Sequence, residues 1–252
     1  MIFYFSATGN SKHVANRLAD ATDDRAVNIL DYSLEQTIEL SDEKMVGIVT
    51  PVYCGGVPYP VADFLKKAKL KIAPNTYLYF VGTYGNLSGR SGSISGKYLK
   101  KNIDRTFDAF YGVCMPDTWT PVFDLTNQEQ VAEINRKADK VIDNIIEKVK
   151  ARSNGDFMED KLAAWMEVVY PSMYKKLSET KNLKVENSCV GCGLCAENCP
   201  AQAIRIENGK PVWTKKNCVM CLRCLHYCPQ FSILYGENTK KHGQYRHPSE
   251  KD

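Results

Sequence analysis

MIFYFSATGNSKHVANRLA, residues 1–19, holds three pieces in a fixed order. Residues 2–5 are apolar and aromatic without a break, the pattern of a strand buried on both faces. Residues 6–11 then supply three hydroxyls, from Ser6, Thr8 and Ser11, together with Gly9 and Asn10. From Asn10 onward Val14, Ala15, Leu18 and Ala19 fall on one helical face. A helix that starts inside a hydroxyl-rich turn aims backbone N–H groups and side-chain oxygens at one spot, a cradle for phosphate. No lysine follows in the P-loop manner and the spacing is not G-x-G-x-x-G. A lone phosphate without magnesium therefore suits the loop better than a triphosphate. The competing reading is an ordinary capped helix after a strand.

Outward from this unit the same alternation continues. Strand-like runs recur at residues 45–50, 76–83 and 107–115, with a weaker one at 26–30. A long helical pattern covers residues 127–149, with Val131, Ile134, Ala138, Val141, Ile142, Ile145 and Val149 in register. Its start, Thr126-Asn127-Gln128-Glu129, has the form of a capping box. Strands alternating with helices over about 150 residues predict a parallel, doubly wound α/β sheet. Such sheets bind ligands beyond the carboxyl ends of their strands. Three loops would meet there: residues 6–11, the stretch with Pro51, Tyr53, Gly55 and Gly56, and the stretch with Thr83, Tyr84, Gly85 and Asn86. A phosphate nest, two tyrosines and bare glycine backbone are what an isoalloxazine ring needs.

After residue 151 the composition changes. Residues 152–156 read as a linker start, and 158–180 as an aromatic-rich helix (Trp165, Tyr170, Tyr174) interrupted at Pro171. Eight of the ten cysteines then crowd into an internal repeat with an offset of 29 residues. Cys189-x2-Cys192-x2-Cys195-x3-Cys199-Pro200 returns as Cys218-x2-Cys221-x2-Cys224-x3-Cys228-Pro229. Three cysteines spaced by two residues wrap three corners of a cubane, and the fourth, carried off by the proline turn, reaches the other cluster. One cluster then takes Cys189, Cys192, Cys195 and Cys228; the second takes Cys218, Cys221, Cys224 and Cys199. Zinc is the alternative, but zinc sites do not need the third cysteine or the proline. Residues 237–252 read as a frayed polar tail.

The remaining signals set limits. A chain that is 44% apolar and 25% charged is neither disordered nor fibrous. No apolar run approaches the ~20 residues of a spanning helix, and residues 1–5 lack the basic start of a signal peptide. Clustered cysteines also favour a reducing compartment, so the cytoplasm is expected. The formal charge of +4 counts thiols as neutral; eight thiolates around two cores of charge 2+ cancel it, so no nucleic-acid partner follows from it. Cys54 and Cys114 read as small fillers, residues 85–96 as a lid or a loose surface loop. Trp119 would either cover the ring or pack on the cysteine-rich part. His226 is not expected to be a ligand.

Residues 183–236 resemble the bacterial ferredoxins that carry two [4Fe-4S] clusters, and the ligand pattern matches throughout. The segment departs in charge, with Lys184, Arg205, Lys210, Lys215, Lys216 and Arg223 against Glu186, Glu197 and Glu207. Residues 2–18 resemble the flavodoxin signature, with Ser11 standing where threonine is usual. This resemblance implies strand order 2-1-3-4-5, FMN phosphate at residues 6–11, and Tyr53 and Tyr84 flanking the ring. The whole chain resembles the fused flavodoxin–ferredoxin proteins of anaerobic bacteria. It divides into a flavodoxin-like domain (1–151), a helical linker (152–182), a ferredoxin domain (183–236) and the tail. The implied role is an electron relay between FMN and two low-potential [4Fe-4S] clusters, with a redox protein as donor or acceptor. A reductase of a small molecule bound at the flavin is the alternative, and no catalytic residue is assigned.

Overall fold

The apolar runs lie side by side in one six-stranded sheet in the computed structural model, which describes residues 1–159 and 161–250. Its strands are β1 (Ile2–Tyr4), β2 (Ala26–Asn28), β3 (Met45–Pro51), β4 (Tyr77–Tyr84), β5 (Ala109–Cys114) and β6 (Gly155–Asp156). Every pairing is parallel, and the order is β2-β1-β3-β4-β5-β6. Central β4 is buried along all eight residues, which is why its sequence never alternates. Helices α1 (Asn10–Thr22), α2 (Tyr59–Lys67), α3 (Ser91–Ile103) and α4 (Gln128–Lys150) cover the faces. Side chains alternate between them: Ile2 joins Val14, Leu18, Ile142 and Val149 under α1 and α4. Phe3 turns the other way, 5.0 Å from Phe64 of α2. This is the flavodoxin-like, doubly wound arrangement, with a sixth, two-residue strand at one edge. A separate parallel pair, Thr37–Leu40 with Lys69–Ile72, was not expected from the sequence.

The chain clusters into two compact units. The first is Met1–Ser6, Asn10–Met115 and Glu133–Tyr170; the second is Ala7–Gly9, Pro116–Ala132 and Pro171–Asp252. In the second, β7 (Leu183–Val185) pairs antiparallel with β10 (Ile233–Tyr235), and β8 (Ile204–Glu207) with β9 (Lys210–Trp213). Short helices α6 (Leu194–Glu197) and α7 (Arg223–His226) sit between the cysteines. The sequence repeat is a backbone repeat as well. The helices start 29 residues apart, and left-handed residues recur in pairs: Gly191 with Met220, Gly193 with Leu222, Gln202 with Phe231.

Several expectations need correction. The helix expected over 158–180 is shorter, α5 (Met166–Leu177), and it runs through Pro171 instead of stopping there; Asp160, inside the expected span, lies outside the described residues. The capping box is shifted by one: Asn127 Oδ1 accepts from the Gln130 N–H (3.0 Å), while the Thr126 hydroxyl donates to Asp124. Only residues 85–90 of the 85–96 run form a loop, with Asn86 and Leu87 exposed; Ser91, Gly92, Ser95 and Gly96 are buried in α3. Their small size lets Phe110 and Met158 approach. Cys114 is exposed at the end of β5, its thiol donating to the Gly85 carbonyl at 3.0 Å. The tail is not frayed through residue 250. It forms α8 (Thr239–His242) and buries Tyr245 with Leu125 and Val131; residues 251–252 lie outside the described residues.

Candidate cofactor sites

Four cysteines line each of two cavities, and the sets are crossed. Cys218, Cys221, Cys224 and Cys199 line one of them, together with Ile204, Trp213 and Met220. Cys189, Cys192, Cys195 and Cys228 line the other, with Ile206, Pro211 and Ile233. The β8–β9 hairpin thus gives one end of its inner face to each cavity. Among the described residues no three Cys, His, Asp or Glu side chains close around a single ion. Four sulfurs on each cavity, three from one C-x2-C-x2-C loop and the fourth from the other repeat, fit an iron–sulfur cluster.

Burial pushes the thiols up: Cys195 and Cys218 to about 11, Cys221 to about 12, and Cys224 well above its ordinary value. A protein without metal would therefore hold these sulfurs protonated, and ligation must release the protons. Backbone N–H groups already point at several of the eight sulfurs. Ala203 donates to Cys199 (3.4 Å), Ser232 to Cys228 (3.3 Å) and Met220 to Cys218 (3.2 Å). The first two are equivalent across the repeat, each four residues past its cysteine. Such N–H···S bonds draw charge from a thiolate and raise a cluster's potential.

At the carboxyl edge of the sheet the first unit brings its loops together. Ser11 Oγ and Thr83 Oγ1 share a hydrogen bond of 2.8 Å, and the Val52 N–H donates to the Thr83 carbonyl at 2.8 Å. Tyr53 and Gly56 exchange two backbone hydrogen bonds of 2.9 Å around Cys54 and Gly55, both with positive φ (54° and 81°), a tight two-residue turn. The Arg90 N–H donates to the Gly55 carbonyl at 2.6 Å. Gly89 has to be glycine, since a Cβ there would lie 2.3 Å from Gly55 Cα.

The site residues expected from sequence differ in exposure. Ser6, Thr8, Gly9, Ser11, Gly56, Thr83 and Tyr84 are buried; Asn10, Pro51, Tyr53, Gly55 and Gly85 are half-buried, and Asn86 is exposed. Of the two tyrosines, Tyr84 packs against Gly112, leaving Tyr53 the more accessible. Hydroxyl and amide donors outside the G-x-x-x-x-G-K-[ST] pattern, next to a half-exposed tyrosine and glycine backbone, fit a flavin monophosphate.

The sequence reading missed what backs these loops. Tyr170 lies over Gly56 and donates to the Val57 carbonyl. Arg90, just before α3, and Ser93 and Lys97 within it converge on Glu167; burial pushes that carboxyl up, but their hydrogen bonds outweigh it and hold it below its ordinary value. Trp119 packs within the second unit, 5.0 Å from Tyr235 and against the Leu183, Met220 and Leu225 core. Cys54 is half-buried, and burial raises its thiol to about 11.

A parallel doubly wound sheet with a hydroxyl loop after its first strand, joined to two four-cysteine cavities, defines an electron-transfer flavoprotein of the flavodoxin–ferredoxin fusion class. Comparison with known proteins agrees: the flavodoxin domain profile matches residues 1–143, and the 4Fe-4S dicluster domain profile matches residues 188–233. The chain belongs to the flavodoxin domain family, whose fold implies FMN, and its second domain implies 4Fe-4S chemistry. No curated protein matches it. Among solved structures it is similar to rubredoxin oxygen:oxidoreductase from Desulfovibrio gigas, at 18% identity and TM-score 0.39 over 60% of this chain. The match spans only 36% of that protein's length. It is also similar to a Fusobacterium nucleatum flavodoxin bound to flavin mononucleotide, at 15% identity and TM-score 0.38, over 60% of this chain and 95% of that one. No helix among the described residues is long and apolar enough to cross a membrane.

Proposed function

We propose that the chain is an electron relay between FMN and two [4Fe-4S] clusters, exchanging electrons with a separate redox protein in a reducing, cytoplasmic compartment. The observation that carries this reading is the crossed set of cysteines around two separate cavities. Cys189, Cys192, Cys195 and Cys228 would hold one cluster, and Cys218, Cys221, Cys224 and Cys199 the other. Residues 6–11 would hold the FMN phosphate through hydroxyl and amide donors, with Tyr53 beside the ring and the Gly55–Gly89 contact fixing the loop under it. When bound, FMN exchanges one or two electrons and each cluster one, which lets such a protein convert between pair and single transfers. The chain's part is to fix the carriers and tune them through the N–H···S bonds, while ligation itself releases the thiol protons.

Cofactor content after anaerobic purification tests this. About eight irons, eight sulfides and one FMN per chain are expected. Full iron without flavin, even after incubation with FMN, would reduce the first domain to a docking module and sink the relay. Steady reduction of a small molecule at the flavin, in preference to a protein acceptor, would replace the relay by the reductase.

A further inference from the structure

The two halves of the cysteine repeat match in spacing but not in charge. Across the offset of 29 residues, Lys215, Lys216 and Arg223 stand where the first half has Glu186, Asn187 and Leu194. Glu197 is answered by His226, which is neutral. Its Nδ1 accepts from the Tyr245 N–H at 3.1 Å, so Nε2 carries the proton and donates to the Thr118 carbonyl at 2.9 Å. The two lysines are exposed and act through screening solvent, and Glu186 is offset by Lys240 at 2.7 Å.

Arg223 is different. It opens α7 between Cys221 and Cys224, its N–H is directed at the Cys221 sulfur, and its positive charge is felt at that sulfur too. The guanidinium is pinned within the second unit, 4.6 Å from the centre of the Tyr227 ring and donating to the Ala7 carbonyl at 3.3 Å. Arg246, 5.1 Å from the same ring, and Glu250, which accepts from the Tyr227 hydroxyl, add one charge of each sign.

Burial separates the halves as well. Val190 is 65% exposed, whereas its counterpart Val219 is 5% exposed. Cys192 is exposed, and its counterpart Cys221 is not. Reduction adds a negative charge to a core already surrounded by four thiolates. Burial alone would therefore make the cluster on the Cys218 side the harder one to reduce. The same dry surroundings strengthen the field of a fixed cation, and it is in this half that the sequence places arginine instead of leucine.

We propose that Arg223 makes the cluster of Cys218, Cys221, Cys224 and Cys199 the easier of the two to reduce, so that an electron shared by the clusters rests there. This deepens the two-cluster relay reading and rests on it. Arg223 ligates no iron; it is a positioning residue for the electron and acts through its charge.

The test is a dithionite titration of the anaerobic holoprotein with redox mediators, each cluster read by the electron paramagnetic resonance of its reduced form. The wild type gives two one-electron waves. Arg223→Leu installs the first half's residue and lowers the higher wave only, shifting the electron's distribution between the clusters about tenfold, or about 59 mV. Arg223→Lys keeps the charge and most of the separation. Leu194→Arg, at a position 40% exposed, raises the lower wave by a smaller amount, and it decides the matter with the lysine variant if Arg223→Leu fails to hold iron. Coincident waves in the wild type overturn the proposal. So does an Arg223→Leu shift confined to the lower wave or equal in both, or a lysine variant that behaves as leucine does. A wild-type chain without two clusters sinks the parent reading and this one with it. Two clusters whose potentials ignore Arg223→Leu and Leu194→Arg sink this one alone.

Discussion

Removing Cys199 should damage the cluster of the other repeat. Cys199 follows Cys195 by four residues, yet it lines the cavity of Cys218, Cys221 and Cys224. Electrostatics places Cys199 beside the same set: it contributes to raising the Cys218, Cys221 and Cys224 thiols, whereas Cys189 and Cys192 act on Cys195; Cys195 in turn adds to Cys224. Each cavity has four sulfurs for a core of about four irons, so the protein should carry about eight. Paired alanine variants turn this into a count. Cys199→Ala with Cys221→Ala removes two ligands from one cavity, and the pair should cost no more than about four irons. Cys199→Ala with Cys192→Ala removes one ligand from each, and its iron loss should be the sum of the single losses. Even where three sulfurs retain part of a core, the same-cavity pair stays non-additive. Iron assay on anaerobically purified protein reads the three single and two double variants. If Cys199 proved additive with Cys221 and non-additive with Cys192, ligation would follow sequence neighbours and the reading of both cavities would fail.

Other expectations are shorter. Ser11→Ala or Thr8→Ala should weaken FMN binding roughly three- to tenfold with iron content unchanged; undiminished FMN affinity in both would move the phosphate elsewhere. Gly89→Ala forces a Cβ to within 2.3 Å of Gly55 Cα at a φ of +65°. It should destabilise the first unit by about 1–3 kcal/mol, and a thermal scan showing wild-type stability would refute the close approach. Asp117 is raised above its ordinary range by burial, against the pull of the Trp119 N–H on its Oδ1 at 2.9 Å. A carboxyl whose folded pKa exceeds its unfolded one binds more protons when folded, so its contribution falls as pH rises through that window. Asp117→Asn keeps the Oδ1 acceptor and should raise Tm at pH 7, with the gain vanishing as pH falls below the window; a lower Tm at pH 7 would contradict this.

Legibility followed periodicity. Strands β1, β3, β4 and β5 were readable because burial on both faces leaves no polar residue to blur them. The cysteine spacing carried the crossed sets because a loop that wraps a cubane has little freedom. Features set by single contacts were not readable. The Gly-Ser run at 85–96 looked loose by composition, yet its small residues are what Phe110 and Met158 require. Residues 237–250 looked solvated on average, while Tyr245 and His247, each 5% exposed, decide where the segment lies. Trp119 could face either way until the Tyr235 contact placed it.

The repeat also shows how two halves reach one backbone with different residues. At its two left-handed positions before the short helix, the first half uses Gly191 and Gly193, and the second uses Met220 and Leu222. A non-glycine residue there costs roughly 1–2 kcal/mol. The first half has reason to avoid that cost: a Cβ on Gly191 would meet the Gly209 carbonyl oxygen at 2.5 Å. In the second half Met220 and Leu222 are 5% and 3% exposed and form the core with Leu183, Leu225 and Ile233. Deleting a buried side chain of that size costs about 2–5 kcal/mol, more than the strain relieved. Leu222→Gly should therefore destabilise the protein by about 1–4 kcal/mol although it removes an unfavourable φ. Denaturant titration of the holoprotein reads the sign directly. A more stable variant would mean that backbone strain, and not the apolar core behind the cysteines, limits this half of the repeat.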